Sequence, residues 1–281
     1  MLVRDIMTTD LITVDKDRNL KEVLALMRQH NITKVPVVEA GRLVGVITDG
    51  RIADKLGRIH NRDIQTSTLH ASSVMEKDFL VAHPDEPLET LLKDVGEPGL
   101  TMVPVVQGHK LVGVVTKADL LRLVDIDQPV SAIMKTELRS VGAEERLVHA
   151  RRLLLDHDIA RLPVLRNGRI EGIIAEHEIA TAFAMFKEAD AHVQKASIRD
   201  LQVGPYMRRQ VVTCTPETTV REAARIMMDG GVGGLPVVAP NGVIQGIVTR
   251  TDLIRAFLEH QRLHPRAPGQ RLQLAPPAAS A

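Results

Sequence analysis

Apolar positions along the chain fall into a pattern that returns four times. Counted from Met7, Met75, Met134 and Met207, an apolar residue stands thirteen places on (Leu20, Leu88, Leu147, Val220). Others follow at sixteen (Val23, Leu91, Ala150, Ala223) and at twenty (Met27, Val95, Leu154, Met227). Offsets of three and seven put these side chains on one face of an amphipathic helix. The helix start is signalled as well. Asn19 and Glu22, like Thr219 and Glu222, stand three apart in the capping-box relation that satisfies the orphan amides of a first turn.

After each helix comes a β-branched run led by a proline 29 residues beyond the methionine: Pro36-Val37-Val38, Pro104-Val105-Val106, Pro163-Val164-Leu165 and Pro236-Val237-Val238. Turn residues follow (Ala40-Gly41, Gln107-Gly108, Asn167-Gly168, Asn241-Gly242), then a glycine-led apolar triplet beginning at Gly45, Gly113, Gly172 and Gly246. Strand, turn and strand predict a hairpin. Ile52, Leu120, Ile179 and Leu253 share one offset and mark a second helix that closes each unit. The apolar positions are read as core, and the fold class as α/β, built from four βαββα-type repeats.

The repeats occupy about 3–57, 72–124, 130–183 and 203–260. Only Asp125 to Pro129 separate the second from the third, whereas 58–71 and 184–202 are longer joins. Helix formers after Ala184 predict an extension of the third repeat's last helix. From 261 to 281 the chain turns to Pro, Arg, Gln and Ala without apolar periodicity, and a mobile tail is expected there.

Composition narrows the function. With 36 basic against 35 acidic side chains there is almost no net field to draw a polyanion. Four phenylalanines, one tyrosine and no tryptophan offer little surface for stacking bases, so nucleic acid is disfavoured. A single cysteine excludes an internal disulfide framework, and no basic-then-apolar leader is apparent. Charged residues interrupt every hydrophobic stretch before it reaches spanning length. The expectation is a soluble, cytoplasmic protein without a membrane partner.

The methionine-led start, the proline-led strand and the Gly-apolar-apolar-Thr-x-x-Asp ending resemble the cystathionine-β-synthase (CBS) domain over nearly the whole chain. In that family two consecutive repeats pack through their sheets into a pseudo-twofold Bateman module. The resemblance therefore implies modules over 1–124 and 130–260. It also implies adenosine ligands (AMP, ADP, ATP or S-adenosylmethionine) in the clefts between repeats, with magnesium an open question. Family modules often pair into a disk, which implies either a homodimer or a disk closed within one chain, signalling to an unknown protein target.

The ending has a physical reading of its own. Thr supplies a hydroxyl at the end of the second hairpin strand, and Asp three residues later begins a helix where its oxygens can accept from a ribose diol. Free amides at that helix start suit a phosphate or sugar oxygen. Thr116 with Asp119 and Thr249 with Asp252 complete the pattern. The first repeat has Thr48 but Arg51 in the acid's place, and the third has Ala175 and Glu178. Helix N-capping is the plain alternative for both aspartates. For phosphates, the family implies basic residues shortly before the strand proline: Lys34 and Arg161 here, against Met102 and Gly234 in the other copies. Lys117 and Arg250, directly after the two threonines, are further candidates. Thr213 matches a place where the family touches base or ribose, and also reads as an ordinary strand residue.

No convergent nucleophile, base or metal set is apparent. Cys214, in the β-rich segment Val211 to Thr215, reads as a small core residue. His260 and His264 have helical ligand spacing but lack the intervening glutamate of a zinc protease. The expectation is a non-enzymatic regulatory protein that binds adenosine ligands and needs no cofactor beyond them. A ligand-free CBS interaction scaffold and, less favoured, a DNA-associated regulator are the alternatives.

Overall fold

The structure, a computed structural model, describes residues 1–57, 66–95, 102–188 and 197–264. In the first repeat a two-residue strand β1 (Val14–Asp15) leads to helix α1 (Leu20–Gln29), the hairpin β2 (Lys34–Glu39) and β3 (Arg42–Thr48), and helix α2 (Asp49–Gly57). The second repeats the order with α3 (Leu88–Val95), β4 (Met102–Gln107), β5 (Lys110–Thr116) and a short α4 (Lys117–Leu120). The third has α5 (Leu147–Asp156), β6 (Arg161–Arg166), β7 (Arg169–Ala175) and α6 (Glu176–Glu188). The fourth has α7 (Val220–Asp229), β8 (Gly234–Val238), β9 (Ile244–Thr249) and α8 (Arg250–Leu263).

Local signals hold in detail. Asn19 Oδ1 accepts from the amide of Glu22 at 2.9 Å, and Thr219 Oγ1 from the amide of Glu222 at 3.1 Å. Ala40-Gly41 and Asn167-Gly168 take positive φ at both positions, the two-residue turn whose twist suits a hairpin. In the second repeat the turn is Gly108-His109, one place later than the expected Gln107-Gly108, because Gln107 pairs with Lys110 as the last rung of the ladder.

The opening strand is shorter than the sequence suggests. Outside β1 it shrinks to single parallel bridges, Ala82 to Val105, Val141 to Val164 and Cys214 to Val237. Thr213 therefore precedes a lone bridge instead of lying within a strand, since only the amide and carbonyl of Cys214 pair with the hairpin. Cys214 is buried, as a core residue should be. Helix α6 extends to Glu188, in the expected direction. Helix α8 continues through Leu263, three residues into the expected tail, while 265–281 lie outside the described residues.

Repeats pair through their leading methionines. Each methionine sits against the glycine of its partner's second hairpin strand: Met7 on Gly113, Met75 on Gly45, Met134 on Gly246 and Met207 on Gly172. A Cβ on any of these glycines would lie 2.6–2.8 Å from the methionine sulfur, which is why the position is glycine in all four copies. The next residue bridges the same strand, as Thr8 to Val114, Glu76 to Val46, Lys135 to Ile247 and Arg208 to Ile173. Arg42 pairs with Lys110 to join the first two repeats in a five-stranded sheet, and Arg169 bridges Val243 in the other pair. Four repeats thus form two pseudo-twofold modules.

The hydrophobic core divides the other way. One cluster takes Leu20, Met27, Ile52 and Leu56 of the first repeat together with Leu147, Leu154, Ile179 and Phe183 of the third. A second unites Leu88, Leu120 and Leu121 with Val220, Met227, Leu253 and Phe257. Each module buries its helical faces against the other, α2 on α6 and α4 on α8. The half-buried ion pair Arg151–Asp54, at 2.9 Å, crosses the first of these seams.

Candidate functional site

Hairpin ends from all four repeats meet where the two modules face each other. Each repeat contributes the residue that opens its first hairpin strand and the residue that opens its closing helix. These are Lys34 and Asp49, Met102 and Lys117, Arg161 and Glu176, and Gly234 and Arg250. Of the predicted cations, Lys34, Arg161 and Arg250 are brought within electrostatic reach of one another, and Lys117 within reach of Lys34.

Burial sets their electrostatics. It lowers Lys34 to about 8 against the attraction of Asp49 and Glu176, and lowers Lys117 to about 8 with repulsion from Lys34 adding to it. Arg161 falls to about 10 through burial and the neighbouring Arg250. Two guanidinium nitrogens, Arg161 Nη1 and Arg250 Nε, are buried without a hydrogen-bond partner among the described residues. Buried donors left unpaired cost about 1–3 kcal/mol each, and positive ones more, so this group is built to receive acceptors.

Two carboxylates missed by the sequence reading share the centre. Glu176 is pushed up to about 7 by burial and by Asp49, and burial also raises Asp49. Asp49 Oδ2 lies 3.2 Å from His177 Nδ1, and that hydrogen bond raises the imidazole. Gly50 opens a place for the Glu176 carboxylate, which stands where a side chain on Gly50 would be. A helix-start position that alternates acid and base over the repeats (Asp49, Lys117, Glu176, Arg250) is the signal that would have found them.

The two complete Thr-x-x-Asp endings are capping boxes. Asp119 Oδ2 accepts from the amide and the hydroxyl of Thr116, both at 2.7 Å, and Asp252 Oδ2 accepts from those of Thr249 at 2.8 and 2.6 Å. One oxygen of each acid is therefore committed to the fold. The other, Oδ1, has two lone pairs, in number enough for both hydroxyls of a diol; that of Asp119 accepts from Thr8 Oγ1 at 3.2 Å, and that of the buried Asp252 lies 3.7 Å from Lys135 Nζ. Arg250 feels the charge of Asp119, and Lys117 that of Asp252, so each acid has a cation from the opposite module beside it. Lys117 also donates to Thr251 Oγ1 at 2.8 Å across the α4–α8 seam. Thr213 is half-buried beside Cys214.

The deviant endings look different. Thr48 Oγ1 accepts from the amide of Arg51 at 3.2 Å, so the hydroxyl alone caps. Glu178 Oε2 caps the amide of Ala175 at 3.0 Å, and Oε1 accepts from Arg208 Nε at 2.6 Å. His260 and His264 stack at 4.6 Å on the surface, and no group of three or more metal-ligating side chains occurs among the described residues.

This geometry meets its relatives at the level of sequence. The CBS domain matches residues 3–58, 71–126, 130–185 and 198–259. The chain belongs to the CBS-domain family. Over 275 residues it is 27% identical to the uncharacterized protein MJ1225 of Methanocaldococcus jannaschii, covering 88% of this chain and 95% of that one. The crystal structure of MJ1225, described as a candidate archaeal homolog of g-AMPK, superposes with a TM-score of 0.81 at 22% identity, over 92% of this chain and all of that one. The CBS domain-containing protein YhcV of Bacillus subtilis is 36% identical over 118 residues, 42% of this chain and 81% of its own. An enzyme, the L-aspartate semialdehyde sulfurtransferase of M. jannaschii, matches only in part, at 32% over 124 residues that make up 23% of its length. No described helix is long and apolar enough to cross a membrane.

Proposed function

We propose that this chain is a non-enzymatic regulatory protein that binds adenosine ligands, from among AMP, ADP, ATP and S-adenosylmethionine, in the clefts of its two modules. The observation that carries the reading is the meeting of four buried or half-buried cations, two with unpaired nitrogens, beside two aspartates that each commit only one oxygen to a capping box. A ligand with a diol at one end and an anionic group at the other, phosphate in AMP, ADP and ATP or the carboxylate in S-adenosylmethionine, satisfies both halves at once. The diol donates to Asp119 or Asp252, and the phosphate accepts from Lys34, Arg161, Lys117 or Arg250.

Signalling follows from position. The phosphate end of each cleft borders the α2–α6 and α4–α8 seams, so occupancy changes the charge balance there. In this reading one chain closes the disk by itself and a protein partner reads its surface.

A thermal-shift screen with AMP, ADP, ATP, S-adenosylmethionine and NAD tests this, because a ligand bound only by the native state raises the melting temperature. At a hundredfold excess over Kd the shift reflects about 2.7 kcal/mol. No shift with any of them would favour the ligand-free scaffold.

A further inference from the structure

The residue directly after each leading methionine reaches the fourth position of its partner's Thr-x-x-Asp ending, and it does so in all four repeats. Thr8 Oγ1 donates to Asp119 Oδ1 at 3.2 Å. Lys135 Nζ stands 3.7 Å from Asp252 Oδ1. Arg208 Nε donates to Glu178 Oε1 at 2.6 Å. Glu76 Oε1 lies 3.6 Å from Arg51 Nη2, the same pair with its charges exchanged. The bridges from Thr8, Glu76, Lys135 and Arg208 to the partner's second strand hold this register, so the pairing is a property of the fold.

The four contacts differ in strength in a way that follows the Thr-x-x-Asp pattern. Where the acid is the native aspartate its partner is weak. The Thr8 hydroxyl is exposed and makes a long neutral hydrogen bond, and Lys135 stands 3.7 Å from Asp252, beyond hydrogen-bond range. In the other two endings the partner carries the opposite charge, as Lys135 does to Asp252, and bond length separates the cases. Arg208 holds the outer oxygen of Glu178 through a short charge-assisted bond at 2.6 Å. Glu76 answers Arg51.

We propose that this position after the methionine determines which clefts accept a ribose. Thr8 and Lys135 leave the outer oxygens of Asp119 and Asp252 to a diol, whereas Arg208–Glu178 latches the third repeat's cleft shut; in the first repeat Arg51, paired with Glu76 at 3.6 Å on the surface, offers a diol no acceptor. A vicinal diol displaces a neutral hydroxyl or a distant ammonium at little cost. It cannot displace a guanidinium already bonded to the only oxygen left. The latch rests on the nucleotide reading above and adds to it the choice of cleft.

The test is titration of the full chain with AMP. The parent is expected to bind two equivalents. Thr8→Arg installs the latch opposite Asp119 at an exposed position and should remove one equivalent, with the melting temperature of the ligand-free protein held or raised. Ala175→Thr/Glu178→Asp restores the ending in the third repeat but keeps Arg208, and should still bind two. Adding Arg208→Thr to that pair should raise the count to three. If Thr8→Arg binds two equivalents with parental affinity, or if the double variant already binds three, the latch is overturned while the nucleotide reading stands. If the parent binds no AMP, the nucleotide reading falls and the latch with it.

Discussion

A Cβ on Gly234 would lie 2.6 Å from Nη1 of Arg161, a residue of the neighbouring repeat. The guanidinium occupies the space that two consecutive glycines, Gly233 and Gly234, leave empty, and the same nitrogen lacks a hydrogen-bond partner among the described residues. In the other module the matching positions are Lys34 and Met102, a point charge without such a seat. Gly233→Ala meets only the end of a flexible side chain, so it should leave stability within about 0.5 kcal/mol of the parent. It should nevertheless shift the guanidinium and weaken AMP binding at the Asp252 cleft several-fold. Calorimetry beside a thermal melt checks both halves, and unchanged affinity would remove Arg161 from the phosphate site.

Lys34 and Lys117 give the binding a pH signature. Burial holds both at about 8 in the ligand-free protein. A phosphate beside them favours the charged forms and raises both values, so binding near pH 8 should take up protons. Affinity should be full below pH 8 and fall as the pH rises above it. Titrations at pH 8 in two buffers of different ionisation enthalpy should give different apparent heats, with net proton uptake that shrinks as the pH is lowered toward 7. Equal heats at pH 8 would show that these lysines do not meet the ligand.

Glu176 should destabilise the ligand-free fold at neutral and higher pH. Its folded value, about 7, lies above the ordinary 4.5 because burial and Asp49 oppose its charge. For a raised carboxyl, stability is fully present below pH 4.5 and is lost as the pH climbs through 7. Glu176→Gln should therefore match the parent near pH 4.5 and exceed it at pH 8 by on the order of 2 kcal/mol, moderated by the loss of its attraction to Lys34 and Arg161. Denaturant melts at the two pH values measure this. A variant less stable at pH 8 would mean that Glu176 serves as a needed counterion.

Cleavage in the join between the second and third repeats tests the division into modules at 1–124 and 130–260, which we propose as the domain boundary. Arg221 ties Asp125 and Asp127 in this join to α7. Because the hydrophobic clusters cross from module to module, a chain nicked at 125–129 should still elute as one particle and part only in denaturant. A stable core made of the second and third repeats would contradict the boundary.

How much of this was open to sequence depends on distance along the chain. The helix and hairpin periods, the capping pairs at Asn19 and Thr219 and the proline-led strands are local, and each was legible. The glycine at the head of each triplet was legible as a landmark but not as a seat, since its methionine comes from another repeat. The cross-module cores were closed to inspection for the same reason: Leu56 and Phe183 are both fully buried in one cluster but lie in different modules. At the candidate site, Thr116, Asp119, Thr249 and Asp252 were singled out by motif, and Lys34 and Arg161 by resemblance to the family. Asp49 and Glu176 were missed because an acid at a helix start ordinarily stays solvated and favourable to the dipole, and only the meeting of four repeats buries these two. The capping box was weighed as an alternative to ligand binding, yet the carboxylate has one oxygen for each role.

Ligand binding in both modules depends most directly on Asp119 and Asp252. Loss of a charge-assisted hydrogen bond, worth about 1.5–3 kcal/mol, corresponds to roughly tenfold or more in affinity. The cap accounts for a further loss of about 1 kcal/mol in stability alone. Isothermal titration with AMP and ATP should give two sites in the parent, one in Asp119→Ala, one in Asp252→Ala and none in the double variant, all four proteins remaining folded. A double variant that binds as tightly as the parent, or a parent that binds neither nucleotide, would contradict the account.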